Sequence, residues 1–317
     1  MASAGTRRRR ALDLHQVVPV AMRYPRPAQH LGVPMVIGPV GGSLDNPEGF
    51  GADRDTAPWY VALRRLDGLR LRWDPLLRRT YDSADLVLVI APYAEQQLRR
   101  RRVRRFEVMS ETALEEMPTA CATPSSTGPV RLLYVGRIVR TKGLRDALRA
   151  IAAAGTGRSF TLDVVGDGFD RATCEAIADE LGLRDIVHFH GRLARPEVEA
   201  FYRRSDVFVF PSYREPGGNV VLEAMSHGLP VITCDRGGPG TATTDACAIR
   251  LAVHSPQQFV DDLAGAISQL VDDEALRRQL GRAGREHVAA TAMWDRKVAH
   301  ASRLYQSVLA ARGGADL

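Results

Sequence analysis

The chain has 317 residues, of which 45% are hydrophobic and 25% are charged, and its formal net charge is +6. This length suits about two globular domains. No run of about 18 apolar residues is present, which excludes a membrane-spanning helix, and the basic first residues lack the apolar stretch of a secretory signal.

The basic residues are almost all arginine, because Lys142 and Lys297 are the two lysines among 43 basic residues. Together with abundant alanine, this bias indicates a GC-rich genome, so arginine clusters are weak signals of function. The four cysteines form no CxxC pair and have no histidines at zinc spacing, which predicts free thiols, a reducing cytoplasm and no metal site. They are Cys121, Cys174, Cys234 and Cys247.

The densest arginine cluster follows an apolar run at residues 86–90. It consists of Arg99, Arg100, Arg101, Arg102, Arg104 and Arg105. One interpretation is a solvated helix end. The other is peripheral attachment to the inner face of an anionic membrane, because about 1 kcal/mol per surface charge would make six arginines sufficient. Nucleic-acid binding is not expected, since no aromatic residues alternate with the arginines.

Two apolar runs in the first part of the chain predict strands at residues 33–38 and 85–91. A loop rich in glycine, proline and aspartate separates them. A complete doubly wound domain needs five or six strands with their crossovers, which is hard to fit into fewer than about 120 residues. We therefore expect residues 1–118 to form an incomplete, Rossmann-like acceptor-side domain.

The segment 119–129 is rich in proline, serine and threonine, and predicts an interdomain linker. After it, five short apolar runs alternate with amphipathic helical patterns, which predicts an α/β domain with a doubly wound parallel sheet over residues 130–295. The predicted strands are 130–135, 160–166, 186–190, 206–210 and 230–233. Residues 296–317 predict a helix that packs back toward the first domain.

Two carboxylates stand out after the predicted strand 206–210. Glu215 lies in a polar loop with Gly217 and Gly218, and Glu223 follows about one turn into a helix that starts near Asn219. A loop at the carboxyl end of a parallel strand, leading into a helix N-terminus, is where α/β sheets bind ligands. Free backbone amides at that position suit phosphate or sugar oxygens. The alternative is that Glu215 caps the helix and Glu223 is a surface residue.

A second loop, after the predicted strand 130–135, presents Arg137 and Lys142 just before a helix. A guanidinium with paired donors and an ammonium point charge together suit a diphosphate. Both could equally be surface charge, because a lysine near a helix start opposes the helix dipole. The GDG sequence at residues 166–168 is typical of a plain turn after a strand.

These motifs carry a resemblance to a known family. The segment from about residue 130 to 310 resembles the C-terminal domain of glycosyltransferase family 4, the retaining enzymes of the GT-B type. The matching motifs, in order, are GRIVRTKG (136–143), VGDGFDR (165–171), HFHGRL (188–193), the E-x7-E motif in REPGGNVVLEAM, and WDRKVAHASRLYQ near the end.

The resemblance implies a donor site for a nucleotide-diphosphate sugar. It implies that Arg137 and Lys142 bind the diphosphate and stabilise the leaving nucleotide, and that Glu215 hydrogen-bonds hydroxyls of the donor sugar. It further implies that Glu223 holds the ribose hydroxyls and that residues 189–192 line the base. The full implied donor-binding set is Gly136, Gly166, His190, Gly191, Arg192, Pro216, Gly217, Gly218, Asn219, Val220 and Glu223.

The segment 13–43 resembles the later strands of the acceptor domain in the same family, in the subgroup whose loop reads GPVGG. Two departures stand out: no glycine-rich loop near the start can touch the donor phosphates, and GPVGG replaces the histidine that many members place near the reacting carbon. His15 and His30 are more typical of structural or surface histidines. The candidate acceptor-side loop, equally interpretable as a tight turn, consists of Gly38, Pro39, Gly41 and Gly42.

The sequence thus predicts a cytoplasmic glycosyltransferase that moves a sugar to an unknown acceptor hydroxyl with retention, without a metal or other cofactor. Cell-envelope polysaccharide, lipid and secondary metabolites are all open as acceptors. The main alternative is a catalytically impaired or partner-dependent nucleotide-sugar-binding remnant that lacks the first strands, or a chain whose true start lies upstream. A sugar-phosphate epimerase on the same fold is disfavoured, because a chain with both the E-x7-E motif and the GRIVRTKG motif is typical of the transferases.

Overall fold

The computed structural model describes residues 14–18, 20–26, 31–42, 44–50, 67–99, 101–119, 121–122, 128–155 and 158–313. The chain divides into two compact units. The first contains Met1–Ser43, Ala62–Met109 and Val298–Leu317, and the second contains Leu44–Val61 and Ser110–Lys297. His30, Arg100 and part of the expected linker (residues 120 and 123–127) lie outside the described residues.

The first unit is built on a parallel sheet with the strand order β1-β2-β3-β4 in its described part. The strands are β1 (Leu14–Gln16), β2 (Met35–Val40), β3 (Leu86–Val89) and β4 (Phe106–Val108). Helices α1 (Asp67–Trp73) and α2 (Pro75–Asp82) precede β3, and α3 (Pro92–Leu98) follows it. Strands β2 and β3 are buried along their whole length, as expected for parallel strands that are covered on both faces.

Helices cover both faces of the β2–β3 pair. On one face, α2 packs Leu77 and Tyr81 against the strands. On the other face, the carboxy-terminal helix α11 (Trp294–Gly313) packs Leu304 and Val308 against them. The amphipathic pattern near the end of the chain thus contributes a layer to the first sheet.

Asp85, at the start of β3, joins three parts of the first unit. Its carboxylate accepts hydrogen bonds from the amide of Met35 at 2.8 Å, from Arg104 at 2.9 Å and from Arg312 at 2.8 and 2.9 Å. A buried carboxylate is stable only when its oxygens are paired in this way. The interaction fixes the end of α11 to the edge where β2 and β3 begin.

The sequence interpretation of GPVGG as a loop is wrong for its first half. Gly38 and Pro39 lie inside β2, which continues to Val40, and Gly41 forms an isolated bridge with Ala21. Proline has no N–H to give to a ladder, and the β2–β3 register shifts between Ile37 and Val40 to accommodate it. Glycine is required at position 38 because a Cβ there would overlap the Leu88 carbonyl oxygen.

The described residues of the second unit form a six-stranded parallel sheet with the order β10-β9-β8-β5-β6-β7. Its strands are β5 (Val130–Val135), β6 (Phe160–Val165), β7 (Val187–Gly191), β8 (Val207–Phe210), β9 (Val231–Cys234) and β10 (Ala248–Leu251). Its helices are α4 (Leu144–Ala154), α5 (Arg171–Glu180), α6 (Arg195–Arg204), α7 (Asn219–Ser226), α8 (Gly237–Ala242), α9 (Pro256–Asp272) and α10 (Glu274–Thr291). The predicted doubly wound α/β fold is confirmed, and β10 is a strand that the sequence did not reveal.

The strand order of the second sheet reverses beside β5. The chain runs from β5 to β6 and β7 on one side, then crosses to β8, β9 and β10 on the other. Ligands of open α/β sheets bind at the carboxyl ends of the strands where such a reversal occurs. In this unit, that position lies at the ends of β5 and β8.

Residues that precede the predicted second domain also belong to this unit. Phe50 packs its ring against Tyr213, with the centroids 4.6 Å apart. Leu114 forms a parallel bridge with Met293. The second unit therefore includes residues that come before β3 in the sequence and residues that come after β4.

Among the described residues, no helix combines the length and apolarity needed to cross a membrane.

One glycine fixes the connection from β5 to α4. Gly143 has a φ of +75°, and a Cβ there would overlap the carbonyl oxygen of Pro211, at the end of β8. Gly182 provides a matched control, since its φ is +69° but an added Cβ would meet nothing within 4 Å in the described part of the chain.

We expect Gly182→Ala to lower the free energy of unfolding by about 1 kcal/mol, from the left-handed backbone alone. Gly143→Ala should cost about 3 kcal/mol, because the β5 loop and the end of β8 must also separate. Urea denaturation of both variants measures the difference. Equal destabilisation would show that the close approach at Gly143 does not exist.

Candidate active site

Three glycines lie side by side where β5, β6 and β7 end. The amide of Gly136 donates to the carbonyl of Val165 at 3.0 Å, and the amide of Gly166 donates to the carbonyl of Gly191 at 2.8 Å. Gly166 has a φ of +137°, and a Cβ on it would overlap the carbonyl oxygen of Gly136. The GDG turn therefore has a packing role at this edge, since a side chain at Gly166 would push the loops apart.

Lys142 enters the site from a short helical turn. The turn Arg140–Lys142 follows β5 and ends at Gly143. Lys142 is 6% exposed, its ammonium lies 5.8 Å from the ring centroid of Phe210, and it donates to the Oε2 of Glu215. Burial at this depth does not fit the interpretation of Lys142 as surface charge.

The charge of Lys142 is set by two opposing effects. Burial lowers the pKa of Lys142, because the charged form loses hydration, and the nearby Arg137 lowers it further. The carboxylate of Glu215 opposes both effects through its charge and its hydrogen bond. The ion pair therefore keeps a cation in a place where burial alone would disfavour it.

Arg137 precedes this turn and is exposed. Its backbone carbonyl accepts a hydrogen bond from the hydroxyl of Tyr134 at 3.1 Å, which anchors the backbone while the guanidinium faces solvent. Arg137 is near enough to Lys142 to influence that residue's pKa. The two cations that the sequence singled out are thus neighbours.

The loop that carries Glu215 is packed through glycine contacts. The Oε1 of Glu215 accepts from the amide of Gly217 at 3.3 Å, and its carbonyl accepts from the amide of Gly238 at 2.8 Å. A Cβ on Gly238 would overlap the carbonyl oxygen of Gly217. Gly218 takes a φ of +94° at the position just before α7. Glu215 therefore does not cap α7.

The first residues of α7 provide free amides beside this loop. Pro216 is half-buried, Asn219 is exposed and Val220 is half-buried. The first amides of a helix have no intrahelical partner, so this end of α7 can donate hydrogen bonds to oxygen atoms of a ligand.

Glu223 lies on α7 and already has two partners. Its Oε1 accepts from Arg195 at 2.6 Å, and its Oε2 accepts from the Tyr202 hydroxyl at 3.0 Å. Burial raises the pKa of Tyr202 well above its ordinary value, and Glu223 adds to the effect, so the hydroxyl remains a donor. Glu223 is not a loose surface residue, because two groups fix its carboxylate.

The end of β7 carries His190 and Arg192. The Nε2 of His190 lies 2.5 Å from the Oδ1 of Asp163, and its ring packs on Phe201 at a centroid distance of 4.6 Å. Arg192 is exposed. His190 is therefore held in place by β6 and α6, whereas Arg192 is free to reach a ligand.

The structure brings Arg137, Lys142, Glu215 and Gly217 together, while Glu223 lies on α7 with its own partners.

The candidate acceptor-side residues lie in the first unit, in β2 and directly after it. His15, also in the first unit, lies 2.7 Å from the carbonyl of Gly38 through Nε2 and 2.6 Å from the Tyr305 hydroxyl through Nδ1. Both ring nitrogens of His15 are engaged in structural contacts.

Sequence reasoning missed Glu111. Its Oε1 would lie 3.2 Å from a Cβ on Gly217, and its Oε2 is buried without a hydrogen-bond partner in the described part of the chain. Burial raises the pKa of Glu111 and Glu215 adds to the rise, while Lys297 opposes it. No sequence signal marked Glu111, because it lies in a segment without apolar periodicity or glycine.

The chain is similar in sequence to known glycosyltransferases. The sequence model of the family described as Glycosyl transferases group 1 matches residues 122–287, slightly more than half of the chain. Over 238 residues, the chain is 34% identical to a 2-deoxystreptamine glucosyltransferase of Streptomyces kanamyceticus, covering 74% of this chain and 59% of that protein. The chain spans about half the length of the curated relatives it matches.

Two solved structures share the fold. Sucrose-phosphate synthase from Thermosynechococcus elongatus aligns with a TM-score of 0.63 and 28% identity, over 77% of this chain and 62% of that one. HepE of Anabaena in complex with UDP-glucose aligns with a TM-score of 0.63 and 17% identity, over 87% and 72%. The predicted GT-B type of α/β fold is confirmed. By its motifs, its fold and its match to the family model, the chain belongs to the glycosyl transferases group 1.

Proposed function

We propose that this protein transfers a sugar from a nucleotide-diphosphate sugar to an acceptor hydroxyl, with retention of the anomeric configuration and without a metal. The observation that carries the proposal is the buried ion pair between Lys142 and Glu215, at the switch point of the second sheet. The similar HepE structure holds UDP-glucose, and a 34% identical relative is named a glucosyltransferase, which supports a nucleotide sugar as donor.

The cations of the β5 loop suit the diphosphate. Lys142 supplies an ammonium held by its ion pair, and Arg137 supplies an exposed guanidinium that can pair with two phosphate oxygens. As the bond between the anomeric carbon and the diphosphate oxygen breaks, negative charge develops on that oxygen. Cations fixed in advance stabilise this charge without reorganisation. They thereby take the part that a metal ion plays in other phosphate sites.

The β8–α7 loop suits the donor sugar. The carboxylate of Glu215 accepts hydrogen bonds from sugar hydroxyls, and Lys142 holds it in position. The amides of Gly218 and Asn219 lie at the start of α7, where they can donate to sugar and phosphate oxygens, while the amide of Gly217 donates to Glu215. The absence of side chains on the two glycines lets this loop pack closely against Thr112, Glu111 and Pro239.

The nucleoside end of the donor is assigned to Glu223 and the β7 edge. Glu223 accepts from the two ribose hydroxyls, and Arg195 and Tyr202 orient its carboxylate for this purpose. His190, Gly191 and Arg192 line the base.

Retention requires the acceptor oxygen to attack the anomeric carbon from the face that the diphosphate leaves. The new bond joins that carbon to the acceptor oxygen while the old bond to the phosphate oxygen breaks. The acceptor hydroxyl proton then passes to the departing phosphate oxygen on the same face. Lys142 and Arg137 hold the leaving group next to the attacking oxygen, which suits this transfer.

The arginine run is proposed to contact an anionic membrane. Three of its arginines form ion pairs: Arg99 with Glu95 at 3.2 Å, Arg104 with Asp85 at 2.9 Å, and Arg105 with Glu107 at 3.6 Å. These pairs neutralise part of the positive charge of the run. Arg101 and Arg102 complete the described part of the run.

Replacement of Lys142 by alanine tests the central role. We expect Lys142→Ala to lower kcat by at least about 100-fold, because a donor aimed at the developing charge is lost. Arg149→Ala, an exposed arginine on α4, serves as the matched control and should keep normal activity. Circular dichroism verifies that both variants are folded. Near-normal turnover by Lys142→Ala would refute the role.

The stereochemistry is measured on the product. With an α-linked UDP-sugar as donor, proton NMR of the isolated product should show the small anomeric coupling of an α-glycoside from the first turnovers. A β-glycoside would demonstrate inversion and remove this part of the proposal. A panel of nucleotide sugars, screened first by thermal shift, identifies the donor to use, because binding raises the unfolding temperature. Donor binding without transfer to any acceptor would favour the alternative of a nucleotide-sugar-binding remnant.

The metal requirement is tested separately. After dialysis against EDTA, transfer should continue at an unchanged rate, because the positive charges of Lys142 and Arg137 balance the negative charge of the diphosphate. The control is the same preparation with magnesium or manganese restored. Loss of activity with EDTA and its recovery with one of these ions would contradict the proposal.

A further inference from the structure

Helix α1 in the first unit exposes two of its three large apolar residues. Leu69 is 58% exposed and Trp73 is 70% exposed, and the two lie one turn apart on the same face. Leu71, midway between them, is buried at 6% exposure and therefore points to the opposite side. A helix on the surface of a globular protein normally turns its polar residues to water, and α1 exposes two large apolar side chains in addition to Arg70 and Arg72.

Helix α2 exposes a further apolar residue, three positions after Trp73. Leu76 is 51% exposed in its first turn, while Leu77 next to it is fully buried. Asp74 joins the two helices, and its Oδ1 accepts from the amides of Leu76 at 2.9 Å and Leu77 at 3.3 Å. Leu69, Trp73 and Leu76 are called the α1–α2 apolar face below.

Two arginines without an ion pair in the described part of the chain lie on the helices that carry the α1–α2 apolar face. Arg72 lies 5.3 Å from the ring centroid of Trp73, and Arg79 lies in the last turn of α2. Neither has an acidic partner within the described part of the chain. Large apolar side chains with arginines beside them are typical of helices that lie in a membrane interface.

The arginine run lies at the end of the same helix pair. The carboxylate of Asp82, the last residue of α2, accepts from the backbone amide of Arg102 at 3.0 Å. This bond places Arg101 and Arg102 at the carboxyl end of α2. Apolar and basic residues thus belong to one region of the first unit.

We propose that the α1–α2 apolar face inserts into the interface of an anionic lipid bilayer, with the neighbouring arginines on the lipid headgroups. Tryptophan is favoured at that depth, where its ring is half in hydrocarbon and half in water. Arginine side chains can lie along apolar surface and keep their charge at the headgroups. Stable attachment takes two signals, and this region supplies both an apolar and a basic one.

A second copy of the chain is a poorer occupant of this face. In a two-fold interface the same patch meets itself, so the arginines of one copy would face those of the other. Like charges brought together in this way oppose association. An anionic bilayer complements the same charges.

The test uses the full chain and vesicles of phosphatidylcholine with phosphatidylglycerol, against vesicles of phosphatidylcholine alone. We expect sedimentation with the anionic vesicles only. Combined Leu69→Ser, Trp73→Ser and Leu76→Ser should lower the vesicle affinity by at least about tenfold, because the apolar signal is lost. Phe169→Ser, at a residue that is 62% exposed in the second unit, is the matched control and should bind normally.

Fluorescence locates the inserted residue. With Trp59 and Trp294 replaced by phenylalanine, the emission of Trp73 should shift to shorter wavelength on anionic vesicles and be quenched by brominated lipid. The proposal is overturned if the chain ignores anionic vesicles, if the triple variant binds as tightly as the parent, or if Trp73 is not quenched. A dimer in vesicle-free solution that the triple variant loses would assign the face to a second copy. Transfer to a water-soluble acceptor should be the same in the triple variant, so this test is independent of the proposed activity.

Discussion

The candidate site depends on keeping one ammonium charged in a buried place. Lys142 is 6% exposed, and its charge is stable there because the Glu215 carboxylate bonds directly to it. Each partner holds the other at the point where a diphosphate and its sugar would meet. Because a buried ion left without its partner is strongly unfavourable, the two loops that carry these residues must keep their places. The ion pair therefore links the folding of the second unit to the chemistry proposed for it.

Glycines make this arrangement of loops possible. Gly143, Gly166 and Gly238 each bring one loop so close to the next that a Cβ would overlap a carbonyl oxygen. These contacts draw together the loops after β5, β6, β8 and β9 at one edge of the sheet. The free amides at the start of α7 and the cations of the β5 loop consequently lie on a rigid backbone, which a site for a developing charge requires. In the first unit, Asp85 has a comparable structural role through its bonds to a strand and two arginines.

The sequence predicted most of the second sheet, because strands buried on both faces appear as continuous apolar runs. It missed β1, β4 and β10, which are short and only half-buried, so their apolar signal is weak. It ended this strand at Gly38 and placed Pro39 in a loop, since proline usually ends a strand, but a register shift lets β2 continue to Val40. Glu111 gave no signal at all, because its importance comes from a neighbour more than 100 positions away, Gly217.

By itself, the sequence determined the family, the α/β class and the identity of the charged residues, because motif spacing and apolar periodicity are local properties of the chain. Only the tertiary structure decided which charges are buried, which are paired and which face solvent. The structure shows that Lys142 is a member of a buried ion pair and not a surface charge. It also shows that Glu223 accepts hydrogen bonds from two side chains. Tertiary packing also leaves the Trp73 side chain 70% exposed to solvent. The physical reason is that burial and pairing depend on contacts between distant segments, and these exist only once the sheets have formed.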